Sequence, residues 1–531
     1  MAFSPERGSA IRKWTRRDFL VTGAVAAVAN AIPRGVRATA DQEKTILPVH
    51  GWQYAPATMA ARAIQAKQVS SVELTTLMLD RIKKINPKIN AIVTVTAEEA
   101  LQRAREADAA LARGKIWGPL HGVPCTIKDT FETAGVRTTA GAPFLKDYVP
   151  KNDAVAVARM RSAGMVMLGK TNVPFMAGDW QSYNDLFPTT NNPWDLARTP
   201  GGSTGGGAAA TAAGLGYLTL GSDIGGSIRV PAHFCGLFGH KPTVNVVPLR
   251  GHIPPPPGVV SAPMNLPVAG PLARSAADLL LAMKVLGGPE AEDAIAYSWT
   301  LPSARKKSIR EYRMRYVLEH SMCPVTSGVK SRVQAAVDAL RAVGATVEEG
   351  FPDGIDVAQQ YKTYLELLWS VMLPGSPEEE LRQIRESKPA ADELVAAAMK
   401  TALTMTHEQW SAVDERQYAA RAAWARCFRE YDAFLMPVDF VPAFAHDHSP
   451  DWSARVLKTA EGPRRYDDQF FWVSFAVMTG LPATVTPVGF TEDGLPVGVQ
   501  ILGPWLEDAT PIFVAQALEQ EFGFQVPPGF E

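Results

Sequence analysis

Two serines set in glycine are the residues of this sequence best suited to chemistry. The first loop reads Gly201, Gly202, Ser203, Thr204, Gly205, Gly206, Gly207. The second reads Gly221, Ser222, Asp223, Ile224, Gly225, Gly226, Ser227, Ile228, Arg229, which sets the two serines 24 residues apart. Glycine at this density lets backbone approach a ligand closely and adopt positive φ, so successive N–H groups can point at a developing oxyanion. The N–H groups of Ile224, Gly225 and Gly226, with that of Ser227, are the expected oxyanion donors, and Ser227 the expected nucleophile. A serine hydroxyl is barely ionised at neutral pH and needs a base. No His follows at a spacing that nominates one. Upstream, Gly122, Val123, Pro124, Cys125, Thr126 and Ile127 lead to Lys128, where burial would lower the pKa and leave an amine able to accept a proton.

The elements that must position these groups follow from hydrophobic periodicity. Ser70 and Glu73 stand at capping-box spacing before Leu74, Leu77, Met78, Ile82 and Ile85, which share a helical face, and Asn86 and Pro87 are expected to end that helix. A second helix is expected over Ala97 to Leu111, stopping at Gly114. The run Ala208 to Gly214 fits a helix that packs closely on its neighbours. Ala154 to Ser162 reads as helix and Met165 to Leu168 as strand. Met314 to Leu318, Val329 to Val343 and Ala345 to Val347 read as strand, helix, strand. Ala483 to Phe490 and Leu495 to Leu502 form a hairpin turned by Glu492, Asp493 and Gly494. Alternation of this kind predicts an α/β fold, a single large domain whose central mixed β-sheet is covered by helices on both faces.

The segments Gly122 to Asp129, Gly201 to Gly207 and Asp223 to Arg229 together closely resemble the amidase signature family. Gly169 to Asn172, Thr190 to Thr199, Cys235 to Thr243, Ala269 to Asp278 and Pro496 to Gly503 also look like family sequence, so the resemblance spans about residues 55 to 520. It implies a triad of Ser227, Ser203 and Lys128, with Ser203 as proton relay on an unusual cis peptide. It also implies a carboxamide or ester substrate cleaved through a serine acyl-enzyme, with no cofactor and no metal. Thr204 stands where the family often has a second Ser, and Val173, Pro174, Phe175 and Met176 depart from its usual acidic and aromatic pair. Phe175, Met176 and Trp180 are the candidate substrate-binding residues, followed by Tyr361, Tyr364 and Trp369.

Composition narrows the partners. The charged residues nearly balance, at 53 Lys and Arg against 54 Asp and Glu, and 46% of the chain is apolar. No basic stripe favours nucleic acid. Cys125, Cys235, Cys323 and Cys427 are too scattered for a metal knuckle and read as isolated thiols. Trp14 to Leu20, with Arg16 and Arg17, resembles a twin-arginine export signal. An apolar stretch from Phe19 to Ala31 follows, too short for a stable membrane span, and then a small-residue cleavage site at Ala38 to Ala40. Residues 1–40 are therefore expected to be a cleaved signal and 41–531 the amidase domain. That domain would be delivered to the periplasm by the twin-arginine machinery, to act on a small-molecule amide, and to associate, if at all, as a homodimer.

Other readings account for less of the sequence. A phosphate cradle at Gly201 to Gly207 lacks the closing Gly-Lys-Ser/Thr. An α/β-hydrolase-type esterase would use Ser203 in its G-x-S-x-G context with His446 or His448, leaving Lys128 and the second loop without a role. An inactive binding scaffold would have no use for three triad residues. The ammonia-producing component of a transamidation complex belongs to the same family but does not call for an export signal. Asp223 and Arg229 are expected to brace the nucleophile loop, Asp129 to face backbone donors, and His233 and His240 to be core residues.

Overall fold

Thirteen strands form among the described residues of this computed structural model, which are 51–259 and 265–531. The expected export signal, residues 1–40, lies outside them. In chain order the strands are β1 Ile92–Val95, β2 Pro124–Lys128, β3 Val166–Thr171, β4 Leu218–Asp223, β5 Phe238–Lys241, β6 Val268–Ala273, β7 Arg313–Tyr316, β8 Thr346–Glu349, β9 Ala433–Pro437, β10 Val456–Thr459, β11 Gly462–Arg465, β12 Ala483–Phe490 and β13 Pro496–Leu502. Eleven of them build one sheet in the order β1-β3-β2-β4-β6-β5-β12-β13-β9-β7-β8, and β10 and β11 pair separately. β2 runs parallel to β3 and β4, and β7 parallel to β8 and β9, while the centre is antiparallel, as in β12 with β13. Every residue of β2, β3, β4, β5, β6, β9 and β13 is buried. Strands buried along their whole length are covered on both faces, so the expected fold is the one observed.

The sequence-predicted elements form where their periodicity placed them, with boundaries shifted by up to three residues. The helix Ser71–Ile89 starts at the Ser70 capping box but runs through Pro87 to a left-handed Asn90. Pro87 is exposed and lies in the last turn, so its missing N–H and displaced carbonyl cost little there. Asn86 acts beyond the helix: its side-chain Oδ1 accepts from Ala91 and Ile92 N–H and fixes the entry to β1. The polar stretch Pro374 to Arg385 contributes the helix Glu378–Glu386, which has no fully buried residue and leans on the core only through Leu381 and Ile384. Among the described residues no helix is long and apolar enough to cross a membrane.

The topology brings the chemistry to one sheet end. β2 and β4 are parallel neighbours, with Thr126 opposite Thr219 and Ile127 opposite Leu220. Lys128 closes β2, and Ser222 and Asp223 close β4, so all three emerge at the carboxyl ends of adjacent parallel strands, where α/β sheets gather ligands. The helix Gly205–Ala212 then lies against these strands at a distance only small residues permit. A Cβ on Gly206 would sit 2.5 Å from Asn172 N and 2.8 Å from Ala91 O, both backbone atoms, and one on Gly207 2.8 Å from Thr219 Oγ1. Gly206→Ala is expected to lower unfolding free energy by about 1–3 kcal/mol through this overpacking. Chemical denaturation checks this, and parental stability in the variant would show that the helix can move away.

Candidate active site

Lys128 is wholly buried, and its amine lies 2.7 Å from Ser203 Oγ, 2.9 Å from Ser222 Oγ and 3.5 Å from Ser222 O. Ser203 follows a cis peptide from Gly202 and precedes Thr204, the N-cap of the helix Gly205–Ala212. Thr204 N–H donates to Ser227 O at 3.2 Å, tying the first glycine loop to the second. Ser227 keeps 7% of its surface and borders a cavity, whereas Ser203 keeps 1%. The three residues of the expected triad are thus graded from cavity-facing Ser227 through Ser203 to fully buried Lys128.

Burial lowers the Lys128 amine to about 7, against a smaller upward pull from Asp223. That pull is weak because Asp223 is engaged elsewhere. Burial acts to raise its carboxyl, but the Arg229 guanidinium and loop N–H groups outweigh it and hold it below the usual range. Arg229 Nε and Nη2 each donate to Asp223 at 3.0 Å, Gly226 N–H at 2.9 Å and Ile228 N–H at 3.1 Å. Arg229 Nη1 also donates to Val473 O and Gln500 Oε1. The pair therefore braces the loop that carries Ser227, as its position suggested. Two other buried lysines are lowered by burial, Lys170 to about 8 and Lys241 to about 7. Lys170 donates to Phe131 O and Thr138 Oγ1 beside Asp129, and Lys241 to two carbonyls, so neither has the serine hydroxyl that Lys128 faces. Asp129 accepts from Thr139 N–H and turns to Lys170.

Ile224 and Gly225 have their carbonyls fixed, by Tyr364 OH at 3.2 Å and Trp180 Nε1 at 2.8 Å. Anchored carbonyls orient the peptide planes whose N–H groups were the expected oxyanion donors. The Gly226 N–H already donates to Asp223, so its share in holding an oxyanion would be divided with that carboxylate.

Beside Ser227 lies a cavity of about 130 Å³ walled by Trp180, Leu368, Trp369, Met372, Trp452, Tyr466 and Phe470. Trp180 stands edge-on to Phe470 with ring centroids 4.4 Å apart, and Trp369 stacks on Trp452 at 5.9 Å. Of the expected pocket residues Trp180 and Trp369 line it. Phe175 and Met176 do not. Phe175 is 53% exposed against Phe144, and Met176 packs on the separate cluster of Ala140, Ala142, Leu145 and Ile253. Both sit in a short turn with φ +48° at Met176, just before Ala177 and Gly178, which do border the cavity. Sequence reasoning missed Trp452, Tyr466 and Phe470, which come from the far end of the chain, and His252, which contacts Ser222 Oγ at 2.8 Å. Late histidines of the esterase reading lie elsewhere: His448 stacks on Tyr183 at 3.8 Å, and His446 leans on His448. The four cysteines are buried and unpaired.

A turnover step that uses the neutral amine strengthens as protons leave it. Activity is expected to rise with pH through about 7 and level above it. A pH profile of kcat/KM that falls across this range contradicts a neutral Lys128. Lys128→Arg, whose guanidinium stays protonated, is expected to be inactive at every pH.

Comparison with known proteins matches this geometry to characterised chains. A family model described as Amidase matches residues 73–511. One subunit of the glutamyl-tRNA(Gln) amidotransferase of Carboxydothermus hydrogenoformans is 32% identical over 490 residues, covering 89% of this chain and 98% of the relative. Its counterpart from Moorella thermoacetica is 33% identical, covering 86% and 94%. Among solved structures, a 6-aminohexanoate cyclic dimer hydrolase complexed with substrate superposes with TM-score 0.73 at 26% identity over 90% of this chain and all of that one. A bacterial aryl acylamidase of the amidase signature enzymes shares the fold, with TM-score 0.75 at 23% identity over 88% of this chain and 96% of that one.

Proposed function

Because this chain belongs to the amidase signature family and is an amide-hydrolysing serine enzyme, we propose that Ser227 is its nucleophile, Ser203 its proton relay and Lys128 its general base. The observation that carries this reading is the 2.7 Å contact between Lys128 Nζ and Ser203 Oγ in a fully buried setting. Ser227 Oγ attacks the amide carbonyl as its proton passes to Ser203, whose own proton passes to Lys128. The N–H groups of Ile224 and Gly225 hold the oxyanion, with Gly226 sharing. On collapse, the proton returns through Ser203 to the leaving nitrogen, releasing ammonia or an amine. Water then repeats the sequence on the acyl-serine and frees the carboxylate.

The substrate we propose is a small-molecule amide with an aryl or apolar acyl group. Trp180, Trp369, Trp452 and Phe470 offer ring faces and edges, and the carboxylate of the wall, Asp179, is neutralised by Arg455 at 2.7 Å. A second reading, release of ammonia from glutamine as part of a transferase complex, is favoured by the names of the amidotransferase relatives, but a wall of indoles gives a polar glutamine side chain little to bond. Against a panel of aryl, alkyl and glutamine amides, aryl amides are expected to have the highest kcat/KM. Trp369→Ala should lower that value about fivefold to tenfold. Ser227→Ala is expected to lose several orders of magnitude in rate, and mass spectrometry of the parent should find the acyl group on Ser227. An acyl group trapped on Ser203, or glutamine as the best substrate, would sink the corresponding assignment.

We also propose that residues 1–40 direct export to the periplasm by the twin-arginine route and are removed, leaving 41–531 as the amidase domain, which acts alone or as a homodimer. Arg16, Arg17, the apolar Phe19 to Ala31 stretch and the Ala38 to Ala40 site support this. Replacing both arginines by Lys should retain the precursor in the cytoplasm. Processed periplasmic protein from that variant would contradict the route.

A further inference from the structure

His252 is fastened to the chain just beyond Lys128. It forms an antiparallel bridge with Phe131, Glu132 N–H donates to Gly251 O at 2.8 Å, and Ile253 N–H donates to Thr130 O at 2.7 Å. The Phe131 ring stands edge-on to the imidazole at 4.9 Å. So held, His252 places Nδ1 3.2 Å from Pro254 O and Nε2 2.8 Å from Ser222 Oγ. A carbonyl only accepts, so Nδ1 carries the hydrogen, and a neutral ring then offers Nε2 as a lone pair. The Ser222 hydroxyl must therefore donate to His252. Its oxygen turns only lone pairs toward Lys128 Nζ, 2.9 Å away.

This matters because a neutral amine has two N–H bonds and one lone pair. With Ser222 Oγ and Ser222 O accepting the N–H bonds, the lone pair faces Ser203. A Ser222 hydroxyl free to rotate would donate to the amine and occupy the orbital the relay needs. We infer that His252 is a positioning residue: by accepting the Ser222 hydroxyl it sets the direction of the hydrogen-bond chain, so that the Lys128 lone pair is left to Ser203. The inference rests on Lys128 acting as the base.

His252 is not itself that base. Burial, and then the neighbouring Lys128, push its imidazole down to about 3, against about 7 for Lys128, so an arriving proton stays on the amine. The charged groups facing this chain are Lys128 toward His252 and Asp223 toward Lys128, and Asp223 is held by Arg229.

The test compares kcat and KM above neutral pH, where the amine is free, for His252→Leu, His252→Gln, Ser222→Ala and the Ser222→Ala/His252→Leu double variant. His252→Leu should lower kcat by roughly 10- to 100-fold with KM little changed. His252→Gln, whose Oε1 can take the place of Nε2, should restore most of it. In the Ser222→Ala background no second hydroxyl competes, and His252→Leu should change kcat by less than about threefold. Equal losses in both backgrounds, a loss confined to KM, or parental kcat in His252→Leu would overturn the inference. If His252→Leu does not fold, His252→Asn, whose amide reaches only as far as Nδ1, replaces it under the same criteria. Lys128→Met separates the two claims: activity retained there removes the base itself, whatever His252 does.

Discussion

A buried lysine serves as a base only if no carboxylate holds it charged, and in this protein that condition falls on Asp223. The residue closes the strand that also presents Ser222, near enough to pull the Lys128 amine upward. Arg229, fully buried, takes that carboxylate in a two-pronged pair, and the N–H groups of Gly226 and Ile228 occupy what remains. One ion pair thus performs two tasks: it keeps negative charge away from the amine and folds the loop that carries Ser227 around itself. Removing either partner of such a pair leaves an uncompensated buried charge, so the loop's shape and the amine's neutrality stand or fall together.

Around that pair the architecture is governed by closeness. The helix after Ser203 lies so near β1, β3 and β4 that methyl groups at Gly206 and Gly207 would meet backbone or a threonine side chain. Gly202 cannot carry a side chain either, since its Cβ would fall 2.3 Å from Asp179 O. These contacts bring Ser203 within reach of a lysine on a neighbouring strand and exclude water from the space between. Desolvation then does to Lys128 what its sequence neighbours alone could not, lowering its pKa by several units.

The cavity is assembled on a different principle. Its polar side is the loop Ile224 to Ser227, whose carbonyls are pinned by Tyr364 and Trp180. Its apolar side comes from the helices Val357–Met372 and Phe470–Thr479 together with Trp452. Trp180 belongs to both sides, with its ring toward the cavity and its N–H on Gly225. The wall proposed to select an acyl group and the backbone proposed to hold the oxyanion are therefore mechanically joined.

Local rules made much of this legible. Period-2 and period-3.6 patterns placed the helix from Ser70, the strand at Met165 to Leu168 and the hairpin at Glu492 to Gly494, because short-range sterics and capping decide those features. The glycine loops marked the chemistry, since few other uses call for two serines in so much flexible backbone. Pro87 misled the helix boundary because its cost depends on solvent exposure, which a local pattern does not contain. Phe175 and Met176 read as pocket residues by type, yet one packs on Phe144 and the other on a separate apolar cluster. His252, Trp452 and Phe470 carried no local signal at all. They reach the site through a bridge to Phe131 and through ring contacts with Trp180 and Trp369, far back in the chain. The sequence by itself determined which groups could react, because reactivity resides in residue type and immediate backbone. Only the tertiary structure decided which groups surround them, because long-range contacts depend on sheet order, and sheet order is set by the burial of the whole chain at once.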